Sequence, residues 1–206
     1  MTIDRRSLCL QVGGALLSGA LVTTIRPRFA MAKSLNASLE IPQTVKRSRS
    51  NDDWLAAAAN LAAFQSEIAI GEGVVLQQIQ NPQRWRDLFD ADTGLAKADL
   101  AAFAKDAGLV VDGRSSQSLD HWNALLLQSG PLWIGVANQT YKAGQIWVLT
   151  GIDGDGSADR TQLRLINLEN GGVDAMTAKQ FADLYIAAAK ADGINENIAL
   201  QVLRLP

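Results

Sequence analysis

The stretch IWVLTGIDGDGSADRTQLRLIN at residues 146–167 decides the reading of this chain. Gln145 to Ile152 is a short apolar run rich in β-branched and aromatic side chains. Gln162 to Asn167 partly alternates apolar and polar residues. Between them lies Asp153-Gly154-Asp155-Gly156-Ser157-Ala158-Asp159, whose Gly and Asp residues suit a turn. Two strands joined by a hairpin connection follow from that pattern. Just upstream, LLLQSGPLWIGV at 125–136 ends a helix at Ser129-Gly130-Pro131 and enters a buried strand, Leu132 to Val136. The second half of the chain therefore reads as an antiparallel sheet.

Further upstream the period is helical. DWLAAAANLAAF at 53–64 is apolar on nearly every side, so it belongs in the centre of a domain, and its many alanines imply close neighbours. Ser50 and Asp53 form an approximate capping box at its head. Val74 to Ile79 fits helix or strand. Gln83 to Phe89 reads as a short helix with Trp85 and Phe89 inward, and Ala98 to Ala107 as an amphipathic helix stopped by Gly108. Leu109 to Val111 reads as extended and Leu119 to Gln128 as a helix. Downstream, Met176 to Lys190 is a helix opened by Thr177, and Leu200 to Leu205 a final strand. Helices first and strands later give an α+β class.

The N-terminus, MTIDRRSLCLQVGGALLSGALVTTIRPRFAMAKS, has the layout of an export signal. Arg5 and Arg6 precede a weakly apolar run, Leu8 to Ile25. Ala30-Met31-Ala32 supplies small residues for cleavage before Lys33. The Arg pair, with Arg26 and Arg28 after the apolar run, points to twin-arginine export to the periplasm or outside. The alternative is a retained membrane anchor, since Leu8 to Ile25 approaches the ~20 residues needed to span. Three regions follow: a signal peptide over 1–32, an extended polar lead-in over 33–49 with a short strand at Ser38 to Ile41, and a domain over 50–206.

Residues 1–32 carry four Arg and one Asp, so without them 15 basic and 20 acidic residues remain, a net charge of −5. A mildly acidic chain without a basic stripe is a poor nucleic-acid binder. The run Lys46-Arg47-Ser48-Arg49 reads as a solvated segment. Cys9, the one cysteine, lies in the signal, which leaves no disulfide or thiolate metal site beyond it. No cofactor or metal is expected. Asp153 to Asp159 resembles half a calcium loop, but Arg164 stands where an EF-hand needs Glu. His121, the one histidine, reads as an ordinary helix residue.

The order of elements, with DWLAAAANLAAF, LLLQSGPLWIGV, the Thr150-Gly151-Ile152-Asp153-Gly154-Asp155-Gly156 hairpin and MTAKQFADLY at 176–185, resembles a bacterial branch of the papain-like cysteine peptidases. The resemblance covers roughly residues 50–190. It implies a helical half, with a buried central helix, packed on a C-terminal antiparallel sheet. It places the nucleophilic Cys at Asp53, the base His at Gln145, the orienting Asn or Asp at Asn167, and the oxyanion-binding Gln near Lys46 or Arg47. A Cys at a helix N-terminus is held as thiolate by the dipole and an imidazolium; Gln145 cannot titrate and Asp53 is a poor amide nucleophile. Asp53 reads first as a helix-terminal acid and second as a ligand contact. The implied function is that of an inactive peptidase-like domain holding a peptide or protein partner through Asp53, Trp54, Gln145 and Trp147. A hydrolase of altered chemistry centred on Asp53, and a structural subunit of a co-exported enzyme, are the alternatives.

Overall fold

The computed structural model describes residues 34–112, 118–136, 140–191 and 200–206. The expected signal peptide lies outside them. The chain runs β1 (Leu35–Ser38), α1 (Asp53–Ser66), α2 (Glu72–Gln78), α3 (Pro82–Ala91), β2 (Leu95–Ala96), a 3-10 turn at Lys97–Asp99, α4 (Leu100–Asp106) and β3 (Val110–Asp112). It continues through α5 (Leu119–Ser129), β4 (Leu132–Val136), β5 (Thr140–Tyr141), β6 (Ile146–Gly154), β7 (Gln162–Ile166), β8 (Val173–Thr177), α6 (Ala178–Ala191) and β9 (Leu200–Arg204).

The main sheet is antiparallel throughout, in the order β3-β9-β4-β6-β7-β8, with β1 added to the far half of β6. This is the α+β architecture read from the sequence. The separation into helices then strands is less strict than expected, because β1 and β3 come from the first half and join the same sheet. β1 also lies three residues earlier than the expected strand at Ser38. The segment 74–79 is helical, within α2. Residues 173–177 form β8, so the last described helix starts at Ala178 rather than Met176.

Strand alternation divides the apolar residues between two faces. Trp133, Val148, Ile166 and Leu203 pack with α1 to α4 on one side. Leu132, Ile134, Leu149, Leu165 and Val202 pack with Trp122, Leu125 and Leu126 of α5 and Phe181 of α6 on the other. Helix α1 is buried as its composition requires, with Leu55, Ala56, Ala57, Ala59 and Leu61 wholly inaccessible, and it packs on β4 and β6. Gly135 leaves room beside it for two rings: a Cβ would stand 2.7 Å from the Trp133 ring and 3.0 Å from Tyr141. The sheet thus fixes the head of α1 beside the start of β6.

Candidate functional site

Helix α1 begins at Asp53, with Asp52 at the N-cap position and no side-chain cap bond. The Ser50–Asp53 capping box expected from sequence does not form. Asp52 instead reaches backward: Oδ2 accepts from Ser48 N at 3.1 Å, Ser48 Oγ at 3.0 Å and Arg49 N at 2.9 Å. Arg49 stacks 4.2 Å from the centre of the Phe89 ring and pairs with Asp90 at 3.0 Å. Asn51 bonds Asp92 through N and Nδ2. The basic run 46–49 is therefore built into the fold at Arg47 and Arg49 rather than solvated along its length.

Asp53 is turned across the domain. Its Oδ2 accepts from Gly144 N at 2.6 Å, and its Oδ1 faces Arg47 Nη1 at 3.4 Å. Arg47 is anchored by its own N–H to Leu168 O at 2.7 Å and by Nη1 to Ser50 O at 3.0 Å, while Nη2 stands 3.6 Å from Glu169 Oε1. Asn60, in the second turn of α1, holds the segment before Arg47. Its Oδ1 accepts from Val45 N at 2.9 Å, and Nδ2 donates to Val45 O and Ala56 O at 2.8 Å each.

The backbone of the Lys142–Gln145 turn reaches Asp53 through the Gly144 N–H. Gly144 has φ +77, the left-handed conformation that glycine adopts without strain. Gln145 Oε1 accepts from Lys142 N at 3.0 Å within the turn. Asn167 follows β7 and shapes the next turn: Oδ1 accepts from Glu169 N at 2.9 Å and Nδ2 donates to Asp174 at 3.1 Å. A cavity of about 220 Å³ is lined by Arg47, Asp53, Ala143, Gly144, Ile146, Trp147, Asn167, Leu168 and Glu169.

Of the site residues read from sequence, Asp53, Trp147 and Asn167 share this cavity. Trp54 does not: it is 1% exposed and packs edge-on against Phe103 at 4.9 Å, beside Trp85. Helical geometry explains this, because successive side chains point about 100° apart and only one of the pair at 53–54 can face the cleft. Gln145 is not among the residues lining the cavity. Arg47, Gly144 and Glu169 were not singled out as ligand contacts; lone charges and turn glycines carry no periodic signal. Asn60 left a trace in the sequence, as the one polar residue within an apolar helix.

Burial dominates the electrostatics. It pushes the Asp53 carboxyl up to about 6, against the opposing Gly144 N–H and Arg47 charge and with help from Asp52. Glu72, at the start of α2, is pushed up to about 7, chiefly by burial, opposed by Ser48 and reinforced by its hydrogen bond with the Asp52 carboxyl. Asp52 Oδ1 and Glu72 Oε1 are both buried without a hydrogen-bond partner of their own.

The remaining candidates lie elsewhere. His121 Nε2 bonds Asp112 Oδ2 at 2.8 Å, joining α5 to β3. Asp155 in the hairpin is engaged by Ser157 N at 2.9 Å and by Arg160 at 2.6 Å. Among the described residues no group of three His, Cys, Asp or Glu is placed to hold a metal, and no helix is long and apolar enough to cross a membrane.

Residues 35–185 match a family model described as papain-like cysteine protease AvrRpt2. No curated protein and no solved structure matches the chain significantly.

Proposed function

The chain belongs to the papain-like cysteine protease AvrRpt2 family, and we propose that it is an exported, catalytically inactive member that binds a peptide or protein partner in the cleft. The observation that carries this reading is the state of Asp53. Where the family resemblance puts the thiol stands a carboxylate with one oxygen on Gly144 N and the other facing Arg47. Attack by that carboxylate on an amide would give an anhydride and leave the amine without a proton donor. Gln145, at the base position, has no titratable proton to give. The one imidazole, His121, is bonded to Asp112 and is not among the residues lining the cavity. What is left is a small cavity with fixed charges, which are parts of a binding site.

One observation favours an altered hydrolase as the second reading: a cleft carboxyl titrating near 6 can take up or release a proton near neutrality. The experiment that separates the two is a peptide-hydrolysis assay paired with a binding measurement on Asp53→Asn. We expect background hydrolysis by the wild type and altered partner binding by the variant. Turnover by the wild type that collapses in Asp53→Asn, with folding intact, supports the hydrolase. A stoichiometric complex with a co-exported enzyme would identify the chain as its subunit.

Export is part of the proposal and is tested separately. Arg5→Lys combined with Arg6→Lys should block passage, and the exported protein should have the mass of a chain starting near Lys33. An exported species that retains residues 1–32 would show that the signal acts as an anchor.

A further inference from the structure

We propose that the cleft recognises a positively charged peptide group, either a free amino terminus or the side chain of Lys or Arg. This rests on the reading of the site as a peptide-binding cleft and names what it selects.

Size comes first. Cavities that enclose drug-sized ligands run roughly 300–1,000 Å³. At about 220 Å³ this one takes a single side chain or a chain end. Its charges then select which. Arg47 is one cation between two carboxylates, Asp53 at 3.4 Å and Glu169 at 3.6 Å, and a third bond goes to Ser50 O. Both ion contacts are longer than the roughly 2.7–2.9 Å of a tight charge-assisted bond. The cleft thus carries one more negative than positive group, with Asp52 next along the chain. An anion would meet Asp53 and Glu169 and find Arg47 already committed. A cation would meet two carboxylates with acceptor capacity to spare: Asp53 receives two hydrogen bonds in the structure, and a carboxylate offers about four lone-pair sites.

The arrangement has a proton signature. A bound cation favours the ionised form of Asp53, so binding expels the proton that burial otherwise retains. Affinity should rise with pH through about 6. The charged groups around Asp53 are Arg47, Asp52 and Glu169, with Glu72 behind Asp52.

The test is a random octapeptide library, one half with free and one half with acetylated amino termini, selected on the full chain and in parallel on Asp53→Asn and Glu169→Lys. The expected binders are lost on Asp53→Asn and bind about fivefold more weakly to Glu169→Lys, a residue whose side chain is 77% exposed and outside the core. They bind better at pH 7 than at pH 5, a range in which an amino terminus keeps most of its charge. They also carry Lys or Arg, or require the free amino terminus, and the acetylated half tells which. Binders that depend on Asp53 but are neutral or acidic, or whose affinity is unchanged in Glu169→Lys, overturn the charge selection and leave the peptide cleft standing. A library with no Asp53-dependent binder overturns both.

Discussion

Replacing Asp53 by Asn should stabilise the folded chain at pH 8 by about 3 kcal/mol, and the gain should vanish as the pH falls to about 4. The shift behind this runs from an ordinary 3.8 to about 6, near 2 units at roughly 1.4 kcal/mol each. Between those values the folded chain keeps a proton that the unfolded chain has released. Stability therefore falls as pH rises through the window, and above it the full cost of the buried charge is in place. Asn is neutral at every pH and its Oδ1 still accepts from Gly144 N–H. Glu72→Gln should behave alike across the window from 4.5 to about 7, since its amide is neutral at every pH. Urea denaturation of the three proteins at pH 4 and pH 8 provides the check. An Asp53→Asn protein less stable than wild type at pH 8 would mean that the Arg47 and Gly144 contacts outweigh burial. A residue that weakens the fold at neutral pH, yet stands at the cleft, fits a position kept for binding rather than for stability.

Asn60→Ala should cost about 3–4 kcal/mol and lower the melting temperature by about 10 °C. Asn60 is wholly buried and makes three hydrogen bonds, two of them to Val45 N and O, across 15 residues of sequence. Truncation leaves both Val45 groups without a partner at roughly 1–3 kcal/mol each, together with a small void. The same change frees the segment leading to Arg47, so the proposed peptide binding should weaken along with stability. Thermal unfolding of the variant measures the first effect. A loss under about 1 kcal/mol would show that the lead-in is held by Arg47, Asp52 and Asn51 without Asn60.

Much of the fold was legible because its elements obey simple periods. The apolar run at 53–64 could only be a buried helix, and 146–167 could only be strands around a Gly-Asp connection. β8 was missed because Val173–Thr177 lies at the sheet edge with little apolar alternation, so tertiary pairing with β7 decides it. The Asp53 side chain was misassigned to a cap for a related reason. Its local option was Ser50, but Gly144, 91 residues away, offers a 2.6 Å bond that no local pattern encodes.

By itself, the sequence determined the fold class, the burial of α1, the absence of a thiol beyond Cys9, and the presence of Asp and Gln where the resemblance puts a nucleophile and a base. Those properties depend on residue type and short-range spacing. Only the tertiary structure decided that Trp54 belongs to the core, that Arg47 spans Asp53 and Glu169, and that burial beside Asp52 raises the Glu72 carboxyl. Each of these depends on how far apart in space two distant segments come to lie, and on how much water is left between them. Packing sets those quantities, and no short stretch of the chain contains them.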